Sequence, residues 1–181
     1  MMLMNYAECE ERFRSPYQIH AALHRQEIFR LERGIYATQK IAPEVAIITK
    51  KYPNAILTME SAFYYHGFTD DIPERYALAT DVDHAKIRDP RIHQYFLPSQ
   101  VLHVGETTVT IDGAAVPMYD KERMLIELAR NKTKLPYDFY KDVLRRYRAQ
   151  TEELDIMHLQ EYLLQFPKAG KIREILEQEV F

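Results

Sequence analysis

The chain has 181 residues, 46% of hydrophobic type and 28% charged, ordinary usage for one globular domain with at most a small appendage. Its 24 Lys+Arg against 27 Asp+Glu give a net charge of −3, which excludes a histone-like basic protein and an acidic disordered tail. The one cysteine, Cys9, excludes an intrachain disulfide and a Cys-based zinc site, and only 5 glycines all but exclude a phosphate-cradling glycine loop.

Residues 3–12 read as a short helix, with Cys9 in a mobile stretch. Ser15 before Pro16 is an N-cap followed by proline at the first helical position, and Ile19, Ala22 and Leu23 then recur at i, i+3, i+4, which predicts a helix over 16–26. Ile28, Arg30 and Glu32 next alternate with Phe29, Leu31 and Arg33, which reads as a strand. Gly34 marks a turn or bulge, and Ile35-Tyr36 begins a return strand. Helix, strand, glycine turn and strand make a minimal winged-helix-like segment over residues 1–40.

The rest, 41–181, divides into an α+β core over 41–119 and a helical tail over 120–181. Pro43 opens a helix closed by Pro53, Ala55-Ile56-Leu57 is a short buried strand, and Thr58 caps a helix stopping at Gly67. Strands are expected over 75–83 and 92–97, then a meander over 101–119, with Asp112-Gly113 as a type I′ hairpin signal and Gly105 at the other turn. Asp120 caps a helix with Met124, Leu125 and Leu128 on one face, and helices follow over 137–149, 155–166 and 168–180. The fold class is therefore α+β: a minimal winged-helix-like unit, a mixed sheet with helices, and a C-terminal helical bundle. No window approaches the roughly 18 apolar residues of a membrane span, and Met1 to Met4 is far too short for a signal peptide, so no membrane partner is expected and the expected compartment is cytoplasmic.

The polar side of helix 16–26 carries Tyr17, Gln18, His20, Ala21, His24 and Arg25. A helix entering a DNA major groove presents such hydrogen-bonding groups to base edges, and Arg30 and Arg33 on the following hairpin suit phosphates. Residues 12–33 hold five arginines against two glutamates. His20 and His24 also have a metal-ligand spacing, and an ordinary exposed polar face is the alternative. Tyr17, Phe29, Tyr36, Phe63, Tyr64, Tyr65 and Tyr119 are either base-stacking platforms or core aromatics.

Residues 121–148 hold nine basic and four acidic residues, between acidic segments at 60–83 and 151–181. The block is either self-complementary surface or a groove following phosphates, in which case Arg123, Arg130, Lys132, Lys134, Lys141, Arg145, Arg146 and Arg148 carry it. Asp81 and Asp83 at i, i+2 on a strand, beside His84, match a divalent-metal arrangement or a plain solvated strand end. His66 with Asp70 and Asp71 reads either as a base with acids or as a histidine meeting a helix C-terminal dipole. No nucleophile triad has a local signature, so no enzymatic activity, resident metal or cofactor is expected.

Three blocks resemble a known family. LERGIYA (31–37) resembles the "RGVY" wing motif of abortive-infection antitoxins. YPNAILTMESAFYYHGFTDDIP (52–73) resembles their "P-x-A-V-x-S-x-x-S-A-L-x-x-H-G-L-T-D-x-I-P" block. IDGAAVPMYDKERMLIELARNKTKLPYDFYKDVLRRY (111–147) resembles their strand, "eR-T-l-x-D-l" helix and next helix. The order is kept over most of residues 15–175, and the family is the AbiEi-type antitoxin or transcriptional regulator of type IV toxin–antitoxin systems. Two departures stand out. Only Met1 to Arg14 precedes the recognition helix, where longer members have about one more helix, and Arg123-Met124-Leu125-Ile126-Glu127 replaces R-T-l-x-D. The resemblance implies a bacterial, cytoplasmic, non-enzymatic protein whose N-terminal winged helix binds inverted repeats in its own promoter DNA. It also implies a C-terminal domain that antagonises a nucleotidyltransferase-class toxin without needing a stable complex. A variant of the same reading is an interaction module with reduced or no DNA binding, acting on the toxin or its RNA target through 121–148.

Overall fold

The computed structural model describes residues 1–181 and is α+β. It forms two compact units, residues 1–55 with 108–117, and residues 56–107 with 118–181.

The first unit opens with a strand where a helix was expected. β1 (Leu3–Asn5) precedes α1 (Tyr6–Phe13), α2 (Pro16–His24), β2 (Phe29–Glu32), β3 (Ile35–Ala37) and α3 (Glu44–Lys51). β3 lies between β1 and β2 in an antiparallel sheet, with Met4 and Arg30 both opposite Tyr36. The β1 pairing is with residues thirty to thirty-four positions away, which no local periodicity encodes. Asn5 then starts α1 by a capping box: its side chain accepts from the Glu8 amide at 2.9 Å and the Glu8 carboxylate accepts from the Asn5 amide at 2.7 Å. Arg14 closes α1 in the left-handed region, and Ser15 caps α2, its Oγ accepting from the Gln18 amide at 3.3 Å. Two residues thus separate the helices. Met4, Cys9, Ile19, Ala22, Ile28 and Tyr36 make the core beneath them, with Phe13 and Leu23 against it. Cys9 is fully buried in that core, not in a mobile stretch, because α1 buries one face. The compact unit runs on through α3, which buries Val45, Ala46 and Ile48 and packs on β1 and β3.

The second unit contains β4 (Ile56–Leu57), α4 (Met59–Tyr65), β5 (Tyr76–Asp81), β6 (Ile92–Leu97) and α5 (Ser99–Leu102). In chain order the β7 (Glu106–Ile111) and β8 (Ala114–Tyr119) hairpin follows, its residues 108–117 counted with the first unit, and the second unit then continues with α6 (Lys121–Arg130), α7 (Tyr137–Ala149), a 3-10 turn at Thr151–Glu153, α8 (Ile156–Leu163) and α9 (Ala169–Glu179). The sheet is mixed, in the order β6-β5-β4-β8-β7. β5 and β6 pair in parallel across the non-helical residues 82–91. Parallel neighbours usually need a helical crossover. Here the Gln94 side chain ties the connection down, accepting from the Ile87 amide and donating to Thr80 Oγ1, both at 2.8 Å. The expected meander begins later than residue 101, because 99–102 is helical and Gly105, at φ +73°, turns the chain into β7. Asp112 and Gly113 both adopt positive φ, as a type I′ hairpin requires. Thr58 occupies the cap position of α4 without a side-chain cap bond.

α6 is the centre of this unit. Every residue from Arg123 to Ala129 is buried, a much wider face than Met124, Leu125 and Leu128 alone predict. Asp120 caps it, accepting from the Arg123 amide at 2.8 Å. Phe68 and Tyr147 stack at 3.8 Å between centroids, with Phe63 edge-on to Tyr147. No helix of the structure is long and apolar enough to cross a membrane.

Candidate nucleic-acid interface

α2 advances about 100° per residue, and its two faces separate cleanly. Ile19 and Ala22 point into the core with Leu23 partly buried beside them. Tyr17, Gln18, His20, His24 and Arg25 are exposed, and Ala21 is half-buried among them. Tyr17 is 78% exposed, an unusual position for a large aromatic with no structural work to do. Arg25, the residue capping the helix C-terminus, holds Glu27 at 2.7 Å. That ion pair lowers the Glu27 carboxyl and raises the Arg25 guanidinium from their ordinary values.

The hairpin departs from simple alternation in a way that matters. The register shifts between Arg30 and Glu32, so Leu31 is an extra residue in β2. Strict alternation assigns Arg30 and Arg33 to opposite faces. A bulge between them cancels that difference, and both are exposed. Gly34 turns the hairpin at φ +79°, a conformation that costs glycine no steric penalty. Arg30 donates to the Glu32 carbonyl at 3.4 Å.

Of the seven aromatics that could serve as stacking platforms, Tyr36, Phe63 and Tyr119 are buried, and Phe29, Tyr64 and Tyr65 are partly buried. Tyr17 is the one presented to solvent.

The basic segment 121–148 divides. Arg123 is not on any surface: it is 0% exposed. Its guanidinium lies 4.2 Å from the Tyr119 ring centroid and 4.6 Å from that of Phe166. It donates to Glu127 Oε1 at 2.9 and 3.0 Å and to the carbonyls of Val101 and Val104, so burial leaves none of its charge uncompensated. Arg130 joins the same carboxylate at 2.7 Å and stacks over Phe166. Lys132 pairs with Glu179, Arg146 with Asp70 and Asp142, and Arg145 with Asp142. Arg148 donates to the Glu179 carbonyl. Lys141 lies 4.7 Å from the Tyr137 ring, and Lys134 is exposed. Much of the block is therefore matched by carboxylates, some within it (Glu127 and Asp142) and some from the acidic segments on either side (Asp70, Glu153 and Glu179).

Asp81 and Asp83 do not share a strand face, because β5 ends at Asp81. Asp81 accepts from the Asp83 amide at 2.9 Å and from Ser99 Oγ, which holds its carboxyl below the usual value. No three His, Cys, Asp or Glu side chains converge anywhere as a metal site. His66 donates from Nε2 to the Tyr119 carbonyl at 2.7 Å, and burial lowers its pKa below the ordinary imidazole value, opposing a charged role at the helix end. Asp70 is engaged by Arg146 instead.

One arrangement is invisible in the sequence. Arg130, Lys132, Lys168 and Lys171 line a cavity of about 360 Å³ with Thr133, Pro167 and apolar walls from Ala129, Ile172 and Ile175. Lys168 and Lys171 belong to a segment with an acidic balance, which masks them.

No family model matches the chain, and no curated protein does. Among solved structures the fold is similar to the RV2827C protein from Mycobacterium tuberculosis, at 12% identity and a TM-score of 0.59, over 99% of this chain and 72% of that one. A likeness at this identity concerns the fold alone and agrees with the α+β architecture.

Proposed function

We propose that this chain is the antitoxin and autoregulator of an AbiEi-type, type IV toxin–antitoxin pair, reading promoter DNA with α2 and holding its phosphates with the β2–β3 hairpin. The observation that carries the DNA half is the solvent-facing set Tyr17, Gln18, His20, His24 and Arg25 on the second of two helices joined by a two-residue turn. The order strand, helix, helix, strand, strand, with β3 between β1 and β2, supports a winged-helix reading. The motif blocks at 31–37, 52–73 and 111–147 support the family. Arg25 exchanges Glu27 for a DNA acceptor on binding. The toxin is a nucleotidyltransferase-class antagonist, met without a requirement for a stable complex, and the reading asks no catalytic group of this chain.

A gel shift on the inverted repeats of the operon promoter tests it. Q18A/H24A/R25A, all at exposed positions, abolishes the specific shift while circular dichroism stays unchanged. A triple variant that binds the promoter like the parent removes α2 as the reading helix.

The interaction-module variant is favoured by one observation: Lys134, Lys141 and Arg145 are exposed cations of the basic segment that no residue of the flanking acidic segments engages, whereas Glu179 engages the exposed Lys132 and Arg148. Charge reversal at these three abolishes growth rescue from the toxin if that surface carries neutralisation.

A further inference from the structure

Four cationic side chains and no carboxylate line the cavity bounded by the end of α6 and the first turns of α9. Two of the four are held from behind. Glu127 and Phe166 fix the Arg130 guanidinium, and Glu179 holds Lys132. Neither carboxylate is among the lining residues, so they orient these cations without filling the space. Lys168 and Lys171 are exposed and make no ion pair, so their charge at the cavity is uncompensated. The remaining lining is largely apolar, from Ala129, Pro167, Ile172 and Ile175.

We propose that this cavity binds a nucleotide, its phosphate held between Lys168, Lys171 and Lys132, and its sugar and base against the apolar walls beside Arg130. The charge fits a phosphate: two unpaired lysines match a dianion as point charges, and lysine binds phosphate in that manner. The mixed lining fits a phosphate ester better than the free ion, which has no apolar part to bury. The orientation of Arg130 fits a base, since a guanidinium plane fixed in advance is a stacking surface. The volume lies at the lower end of small-molecule sites, about 300–1,000 Å³, which admits one nucleotide rather than several. The nucleotide is either free or the terminal unit of an RNA strand. The site stands apart from the α2 reading and does not depend on it.

Binding by the full chain is measured calorimetrically with four probes: a nucleoside 5′-triphosphate, the parent nucleoside, inorganic phosphate, and a short single-stranded oligoribonucleotide. The triphosphate or the oligoribonucleotide binds and the nucleoside does not. The tighter of the two names the source. K168E/K171E, at exposed positions, weakens binding at least about tenfold by repelling the phosphate, whereas K86E, at an exposed position outside the cavity, and Q18A/H24A/R25A, on α2, leave nucleotide binding unchanged. Circular dichroism of each variant checks the fold. The proposal is overturned if neither phosphorylated probe binds at millimolar concentration, or if K168E/K171E binds like the parent. It is equally overturned if K86E weakens binding as much, or if inorganic phosphate binds as tightly as the nucleotide.

Discussion

A guanidinium removed from water must find acceptors for its donors inside the fold, and Arg123 finds them in α6, in α5 and in the turn that follows α5. It joins α6 to the carbonyls of Val101 and Val104, shares Glu127 with Arg130, and is sandwiched by Tyr119 and Phe166. Removing one partner of such a buried pair costs about 3–5 kcal/mol, against less than about 0.5 kcal/mol at an ordinary surface position. Arg123→Met therefore lowers the urea midpoint steeply, and an unfolding curve matching the parent's would place Arg123 back on the surface. Gly105→Ala acts on the same spot, since a Cβ there falls 2.4 Å from Arg123 Cβ at φ +73°. His66 sets an acid-side dependence. Burial holds its folded pKa below the ordinary 6.5, so its contribution is fully present above 6.5 and is lost as pH falls through the lowered folded value. Asp120 opposes it, its carboxyl raised by burial, with its contribution present below 3.8 and lost as pH rises through the raised folded value. Lys121 and Glu122 also act on His66. His66→Gln keeps a donor for the Tyr119 carbonyl but cannot titrate. The stability lost between about pH 7.5 and about pH 5.5 shrinks in this variant, as read from urea midpoints at the two values.

Elements were legible where a local signal fixes them. Ser15-Pro16, Gly34, Asp112-Gly113 and Asp120 each announce a boundary that the fold keeps, and the amphipathic repeat of 16–26 told the core face of α2 from its exposed face. What stayed hidden depends on distant partners. β1 is a strand because residues 35–37 offer it an edge, and α6 is buried all round because a salt-bridge network makes charged residues acceptable inside. The bulge at Leu31 was hidden for the same reason, since alternation along one strand does not reveal the partner's register. It bears on the proposed DNA reading, which has Arg30 and Arg33 act together. R30A/R33A reduces the slope of log affinity against log salt by about 2, one for each phosphate no longer neutralised, while leaving the preference between operator and random DNA intact. A change in sequence preference instead would assign these arginines to bases. Ser15→Ala, which removes the α2 cap, destabilises by about 1 kcal/mol in urea unfolding.

At the scale of the whole molecule, the near-neutral net charge conceals two separate concentrations of positive charge. The acidic segments answer part of the basic block 121–148, through Asp70, Glu153 and Glu179. What they leave exposed includes Arg30 and Arg33 of the first unit and, in the second, Lys134 and Lys141 together with Lys168 and Lys171 at the start of α9. On the proposed reading, repression of an operon and antagonism of a toxin use separate surfaces and are lost independently. Q18A/H24A/R25A derepresses a promoter reporter and still rescues growth from the toxin. Lys134, Lys141 and Arg145 reversed together lose rescue and still repress, if the exposed cations of the second unit carry neutralisation. Both experiments use the complete chain, because deleting residues 1–37 removes the sheet on which α3 packs and exposes Val45 and Ile48. Loss of both activities from either set of exposed changes, with the fold intact by circular dichroism, would mean that repression and neutralisation share one surface, and the division of labour drawn here would fail.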